Sequence, residues 1–278
     1  VRFASASRHG YGAGNGKAEA MGYHTLTVEE QGPVTTVWLN RPERRNALNL
    51  TALEEIAAVC DELQRRFTTP VVVFAGRGLS FCAGADRKDP PGRSSAGSAA
   101  TLRERRFLGQ VGRRALEAVE RLEAITVARL HGHVIGGGLV LALGCDLRLA
   151  ARSTLFQIPE VDLGIPLTWG AVPRLAREIG TARARELILL CDRFDADTAE
   201  RWGVVNRVVE DADLDAALGD WTGRLAAKSE WALHMTKTQF RAYGRSAVLG
   251  DVTEGDCDLL GMASSQDPGR FAFPGGKP

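Results

Sequence analysis

The sequence predicts an α/β fold that gives way to helices near residue 207. Three observations carry this reading. Strand-like and helix-like segments alternate from His24 to about Arg207. Pro70-Val71-Val72-Val73-Phe74-Ala75 is a continuous apolar run of strand length, the pattern of a strand covered on both faces. Beyond Arg207 the apolar residues recur at helical spacing.

The elements follow in order. His24 to Glu30 and Val34 to Leu39 are β-branched or alternating and flank the turn Gln31-Gly32-Pro33, which predicts a hairpin. Leu50, Leu53, Ile56, Ala57, Cys60 and Leu63 mark a helix ending near Phe67, with Asn49 or Thr51 as its N-cap. After the buried strand and Gly76, a loop rich in Gly, Pro and Ser runs from Arg87 to about Ala99. Leu102, Val111, Leu116, Val119 and Leu122 then predict one long charged helix up to Glu123. Ile125 to Leu130 reads as a strand, and Gly136-Gly137-Gly138 opens a short apolar helix to about Cys145. Strands follow over Asp146 to Ala151 and Thr154 to Ile158, and helices over Leu214 to Ala227, Trp231 to Tyr243 and Val252 to Ser264. The recurring strand-strand-helix order suits a spiral of similar turns.

Composition bounds the function. The 278 residues are 44% hydrophobic, and 35 Lys and Arg against 34 Asp and Glu leave a net charge of +1. That balance gives no global field to hold nucleic acid or an anionic membrane. The five cysteines, Cys60, Cys82, Cys145, Cys191 and Cys257, are scattered without C-x-x-C spacing, which argues for reduced thiols and a cytoplasmic setting. The apolar stretches fall short of the roughly 20 residues that span a bilayer. Residues 1–20 are rich in Gly, Ala and Ser and are expected to form a flexible leader.

Several motifs fail on inspection. Gly16-Lys17 lacks both the glycine spacing and the preceding strand of a phosphate loop. His131 and His133 have no carboxylate or Cys at metal-ligand spacing beside them. Gly92-Arg93-Ser94-Ser95-Ala96 lacks the closing glycine of a nucleophile elbow. The arginines from Arg103 to Arg114 are interspersed with acids and apolar residues, the pattern of a solvated helix face.

Two segments carry chemistry. Ser80-Phe81-Cys82-Ala83-Gly84-Ala85-Asp86 follows the buried strand, and Gly132-His133-Val134-Ile135-Gly136-Gly137-Gly138 precedes a short helix. Small residues let a ligand approach main-chain N–H groups, and a helix N-terminus adds the positive end of its dipole. Taken alone, each segment reads equally as a tight turn or as close helix packing. Together they suit one developing negative oxygen.

Four segments in this order and spacing resemble the crotonase (enoyl-CoA hydratase/isomerase) superfamily, over about Tyr23 to Ser265. They are Leu39-Asn40-Arg41-Pro42-Glu43-Arg44-Arg45-Asn46-Ala47-Leu48, Phe81 to Asp86, the Gly136 triplet running to Cys145-Asp146, and Pro159-Glu160-Val161-Asp162-Leu163-Gly164-Ile165-Pro166. The resemblance implies a crotonase-like α/β fold, a right-handed spiral of strand-strand-helix turns with a C-terminal helical region. The leader and the change of pattern divide the chain into residues 1–20, a core at 21–207 and a helical region at 208–278; the resemblance implies that the core holds the acyl-CoA site and that the helical region supports a homotrimer or hexamer. It implies no metal and no cofactor beyond the coenzyme A of the substrate, and a role in fatty acid metabolism such as β-oxidation.

Residue by residue, the resemblance places the oxyanion-hole amides on Ala85 and Gly137. CoA contacts fall on Arg44, Arg45, the backbone near Ala83, Asp86 and Lys88, while Val140 and Trp169 line the acyl pocket. The acid-base pattern departs from that of the family's hydratases, which use two glutamates: the first position is Val140 here, and Glu160 holds the second. Hydration asks for one group to activate water and another to protonate carbon, whereas a 1,3-proton shift needs one carboxylate. Both reactions stay open at this stage, with Asp162 as a possible second acid if it shares a strand face with Glu160. The alternatives are another crotonase-type reaction on a CoA ester and a non-catalytic acyl-CoA-binding paralogue.

Overall fold

The computed structural model describes residues 22–66, 68–92 and 100–246. The expected leader, the helix expected over Val252 to Ser264 and Cys257 lie outside the described residues. Nine strands form two sheets among the described residues. The larger has the order β1 (Leu26–Gln31), β2 (Val34–Leu39), β3 (Val71–Gly76), β4 (Ile125–Leu130), β6 (Leu147–Ala151), β9 (Arg207–Val209). The smaller has the order β5 (His133–Ile135), β7 (Leu155–Gln157), β8 (Phe194–Asp195). The hairpin β1–β2 is antiparallel with Leu26 opposite Leu39, and every later pair in the large sheet is parallel.

The spiral reads directly from this order. β4 enters the large sheet, β5 the small one, and α4 (Gly137–Leu143) follows; β6, β7 and α5 (Ala171–Ile179) repeat the sequence. In the turn before them, the chain after β3 supplies a single bridge, Cys82 parallel to Val134, in place of a strand.

Every residue of β3 is buried, as its unbroken apolar run requires. Val72 and Phe74 face the main core, formed with Leu53, Ile56, Val59, Leu63 of α1 (Leu50–Arg66) and Leu116 and Val119 of α3 (Val111–Arg121). Val71, Val73 and Ala75 face the opposite way, under Leu218, Trp221 and Leu225 of α8 (Leu214–Ala226). The side-chain alternation of a strand thus assigns each face its own cover. Asn49 caps α1, its Oδ1 accepting from the Ala52 amide at 3.0 Å.

The single helix expected from Leu102 to Glu123 is two. α2 (Leu102–Gly109) stops at Gln110, whose φ of −91° and ψ of 2° leave the helical region, and α3 starts at once. The sequence offers Gly109 and Gly112 around the break, residues that weaken a helix interior. The remaining helices are α6 (Thr181–Leu190), α7 (Ala196–Trp202) and α9 (Glu230–Ser246). α9 is pinned to β4 by Lys237, only 5% exposed, whose Nζ reaches Asp146 Oδ2 at 2.7 Å and the Ala124 carbonyl at 2.8 Å. No helix among the described residues is long and apolar enough to cross a membrane.

Candidate active site

The two glycine-rich segments lie side by side. Cys82 N donates to the His133 carbonyl at 3.0 Å, and Ile135 N donates to the Cys82 carbonyl at 3.0 Å. The parallel bridge between Cys82 and Val134 runs the two segments in the same direction, so Ala85 and Gly137 each lie three residues beyond it along their own segment. On its other side Ala85 bridges Leu48: Leu48 N donates to the Gly84 carbonyl, and Asp86 N to the Leu48 carbonyl, both at 2.8 Å. In such a bridge the N–H of Ala85 itself points away from Leu48, toward the Gly137 side. Gly137 is the first residue of α4, so its N–H has no intrahelical acceptor. These are the two amides that the family resemblance names for an oxyanion hole, and neither donates a backbone hydrogen bond among the described residues.

Gly84 is what allows the approach. Its φ is +89°, and a Cβ there would lie 2.7 Å from the Ile135 carbonyl oxygen and 3.4 Å from Gly137 N. Below the loop, Cys82 Sγ donates to the Asn46 carbonyl at 3.0 Å, and burial pushes this thiol up to about 12, so it stays protonated and acts as a packing group.

Glu160 lies in the turn after β7, in which Leu163 N and Ile165 N both return to the Glu160 carbonyl at 3.0 Å. Its side chain runs inward to Gly136, the residue before α4: a Cβ on Gly136 would be 2.4 Å from Glu160 Oε1. Oε2 is buried and has no hydrogen-bond partner among the described residues. Burial raises this carboxyl to about 7, opposed weakly by a bond from its own backbone amide. An acid balanced near neutrality can take a proton and give it back. Asp162 is in the same turn rather than on a strand, and it is exposed, so strand alternation does not bring it to the face of Glu160. Val140, 3% exposed, lies one turn along α4 from Gly137, and Trp169, 9% exposed, packs against Gly137.

The residues expected to hold CoA differ in exposure. Arg45 and Lys88 are exposed, Ala83 is half-buried and donates its N–H to the Arg45 carbonyl at 2.9 Å. Asp86 behaves differently from a ligand contact. It is 3% exposed, pairs with Arg41 at 2.9 Å and Arg44 at 3.1 Å, and accepts the amides of Lys88 and Asp89. Burial alone would raise its carboxyl; the two amides and the two guanidinium groups outweigh that and hold it below its ordinary value. Asp86 thus braces the loop from behind and orients Arg44.

Two residues of the first motif have roles that sequence reasoning missed. Asn46 is in the left-handed region at φ 55°; its Oδ1 accepts from Arg41 N at 2.9 Å, and its Nδ2 donates to the carbonyls of Arg77 and Ser80, both at 2.8 Å. It staples the 40–46 turn to the chain leaving β3. The available signal was Asn itself, the side chain that best tolerates this conformation. Arg41, besides Asp86, donates to the Ala47 carbonyl at 2.5 Å. His131 and His133 are engaged separately, Nε2 of His131 with the Gly78 carbonyl at 2.9 Å and Nδ1 of His133 with Ser80 Oγ at 3.1 Å.

Comparison with known proteins gives the family. The family model described as enoyl-CoA hydratase/isomerase matches residues 29–273. The crotonyl-CoA hydratase of Syntrophomonas wolfei subsp. wolfei is 32% identical over 257 residues, covering 91% of this chain and 96% of that protein. The human mitochondrial Δ(3,5)-Δ(2,4)-dienoyl-CoA isomerase is 33% identical over 244 residues, 84% of this chain and 73% of its own. A crystal structure of an enoyl-CoA hydratase subunit I from Geobacillus kaustophilus aligns with a TM-score of 0.72 at 29% identity, over 88% of this chain and 90% of that one. The chain is an enzyme of the enoyl-CoA hydratase/isomerase family, within the crotonase superfamily that its four segments resemble.

Proposed function

We propose that, within this family, the chain moves the double bond of a 3-enoyl-CoA to the 2-position, with Glu160 as its one acid-base group. The thioester carbonyl oxygen accepts from the N–H groups of Ala85 and Gly137. The Glu160 carboxylate removes a proton from C2, the electron pair delocalises over C2 to C4 and the carbonyl oxygen, and the same carboxyl returns the proton to C4. The double bond passes from C3–C4 to C2–C3 with no net gain or loss of atoms. One oriented amide facing the developing oxyanion contributes roughly 3 kcal/mol to such a step.

The observation that supports isomerisation over hydration is the pair Glu160 and Val140: one carboxyl, buried and raised to about 7, and a buried apolar side chain at the second acid position. Hydration is the second reading, favoured by the crotonyl-CoA hydratase name of a relative. In either reading the chemistry uses the protein's own amides and carboxyl, coenzyme A being part of the substrate. Arg44, Arg45 and Lys88 offer positive charge to its phosphates, and a cytoplasmic homotrimer or hexamer is the form in which we expect the enzyme to act.

The test is to supply trans-2-enoyl-CoA and trans-3-enoyl-CoA separately and follow the conjugated thioester absorbance with product identification. Isomerisation gives a gain of absorbance from the 3-enoyl substrate. Formation of 3-hydroxyacyl-CoA from the 2-enoyl substrate, with the 3-enoyl substrate inert, replaces this proposal with hydration. Silence with both substrates, together with tight acyl-CoA binding, supports the binding paralogue.

A further inference from the structure

We infer that Trp169 limits the acyl chain this site accepts to a short one, and that α3 clamps its indole in place; the inference rests on the acyl-CoA reading above. The indole occupies a slot made by two missing side chains. A Cβ on Gly137 would lie 2.4 Å from Trp169 Cζ3, and a Cβ on Gly112 would lie 2.2 Å from both Cδ2 and Cε2. The ring is therefore wedged between the first residue of α4, which carries one oxyanion amide, and the start of α3.

The backbone shows that this placement is enforced. Trp169 has φ 61°, the left-handed region, which is costly for a bulky side chain and persists only where the surroundings over-determine it. Arg174 supplies the determination. Its Nη1 donates to the carbonyls of Trp169 at 3.2 Å and Gly170 at 2.8 Å. Its Nε and Nη2 form a two-point fork with Glu120 of α3, each bond 2.6 Å. The Gly112 notch and the Glu120 fork, both on α3, thus hold ring and backbone from the same helix.

The position matters because of what adjoins it. Glu160 abuts Gly136 and the indole abuts Gly137, consecutive residues at the N-terminus of α4. C2 and C4 of the substrate have to reach the Glu160 carboxyl while the carbonyl oxygen sits on Gly137 N. Methylenes beyond C4 then meet a ring that has no slack to retreat, held between Gly112 and Gly137. A rigid core of this kind transmits a clash rather than absorbing it.

The experiment uses the full chain and two readouts: calorimetric binding of butyryl-, hexanoyl- and decanoyl-CoA, and turnover of the matching enoyl-CoA esters. The expected wild-type kcat/KM falls at least about 100-fold from four to ten carbons, the scale on which a filled pocket discriminates methylenes. Trp169→Ala should reduce that ratio to below about 10-fold by gaining on the long substrate, and Trp169→Phe should fall between. Glu120→Gln, which loosens the clamp without touching the pocket, should relax the ratio in part while leaving the pH profile on the four-carbon substrate unchanged. A wild type that treats four and ten carbons alike overturns the inference, as does a loss in Trp169→Ala and Trp169→Phe that is equal at every chain length. Absence of binding by every acyl-CoA, in wild type and variants, overturns the acyl-CoA reading and the chain-length limit with it. The binding arm thereby separates the two failures.

Discussion

Glu160 Oε1 fills the space that a side chain on Gly136 would need, 2.4 Å from the position of a Cβ. Gly136 also has φ 47° and ψ −118°, a conformation closed to other residues. Gly136→Ala must therefore displace the carboxyl, the backbone or both. The expected outcome is a loss of at least about 100-fold in kcat/KM, since small misplacements of a reacting group cost that much. Stability should fall by about 1–3 kcal/mol, measured by urea unfolding of the same samples.

The raised Glu160 carboxyl gives a pH profile with a defined sign. As the base must be ionised, kcat/KM should rise through about pH 7 and level off above it. Glu160→Gln should lose about 10³-fold in turnover while still binding saturated acyl-CoA in calorimetry.

The same carboxyl predicts the opposite trend in stability. The folded state binds the Glu160 proton more tightly than the unfolded state, so its contribution is greatest below about pH 4.5, declines as pH rises toward about 7, and is flat beyond. Glu160→Gln removes that decline. Relative to wild type it should gain up to about 3 kcal/mol at pH 8 and nothing at pH 4, read from urea midpoints at the two pH values.

Asp86 works in the reverse direction. Held below its ordinary value, it contributes stability that is present above about pH 3.8 and lost as pH falls through its folded-state value. Asp86→Asn leaves Arg41 and Arg44 without their counter-charge, and the expected cost is about 2–3 kcal/mol in denaturant unfolding. The KM for CoA esters should rise with it, because Arg44 is no longer oriented.

Lys237→Met tests the attachment of α9. It removes a buried ammonium from Asp146 and from the Ala124 carbonyl, although Asp146 keeps its bonds from Thr126 N and Oγ1. We expect a loss of about 2–3 kcal/mol and faster amide exchange throughout α9, measured by hydrogen exchange with mass spectrometry.

Legibility followed the kind of interaction involved. The hairpin, α1, β3, β4 and the α4 segment were readable because each has its own periodicity or turn chemistry, and β4 keeps the predicted bounds Ile125 to Leu130. β5, β8 and β9, of two or three residues each, are too short to carry a period and exist through pairing with distant chain. The residues from Ala171 to Trp202 fold into three short helices whose apolar faces interrupt one another at Gly180 and Cys191, which left them unread. At the candidate site, Ala85, Gly137 and Glu160 were named from the family resemblance. The staple by Asn46 and the brace by Asp86 were not, because the bonds that carry them across the fold join residues 31 to 45 positions apart.

The register between the 82–85 and 134–137 segments implies an unusual tolerance pattern. The two groups proposed to meet the oxyanion are main-chain amides, so spacing has to be preserved there alongside the glycines at 84, 136 and 137. Most exchanges at Ala85 leave its N–H in place, whereas deleting one residue between Cys82 and Ala85, or between Val134 and Gly137, slides one amide past the other by a full peptide unit. On the proposed reading, the oxyanion site depends on a count of residues as well as on their identity.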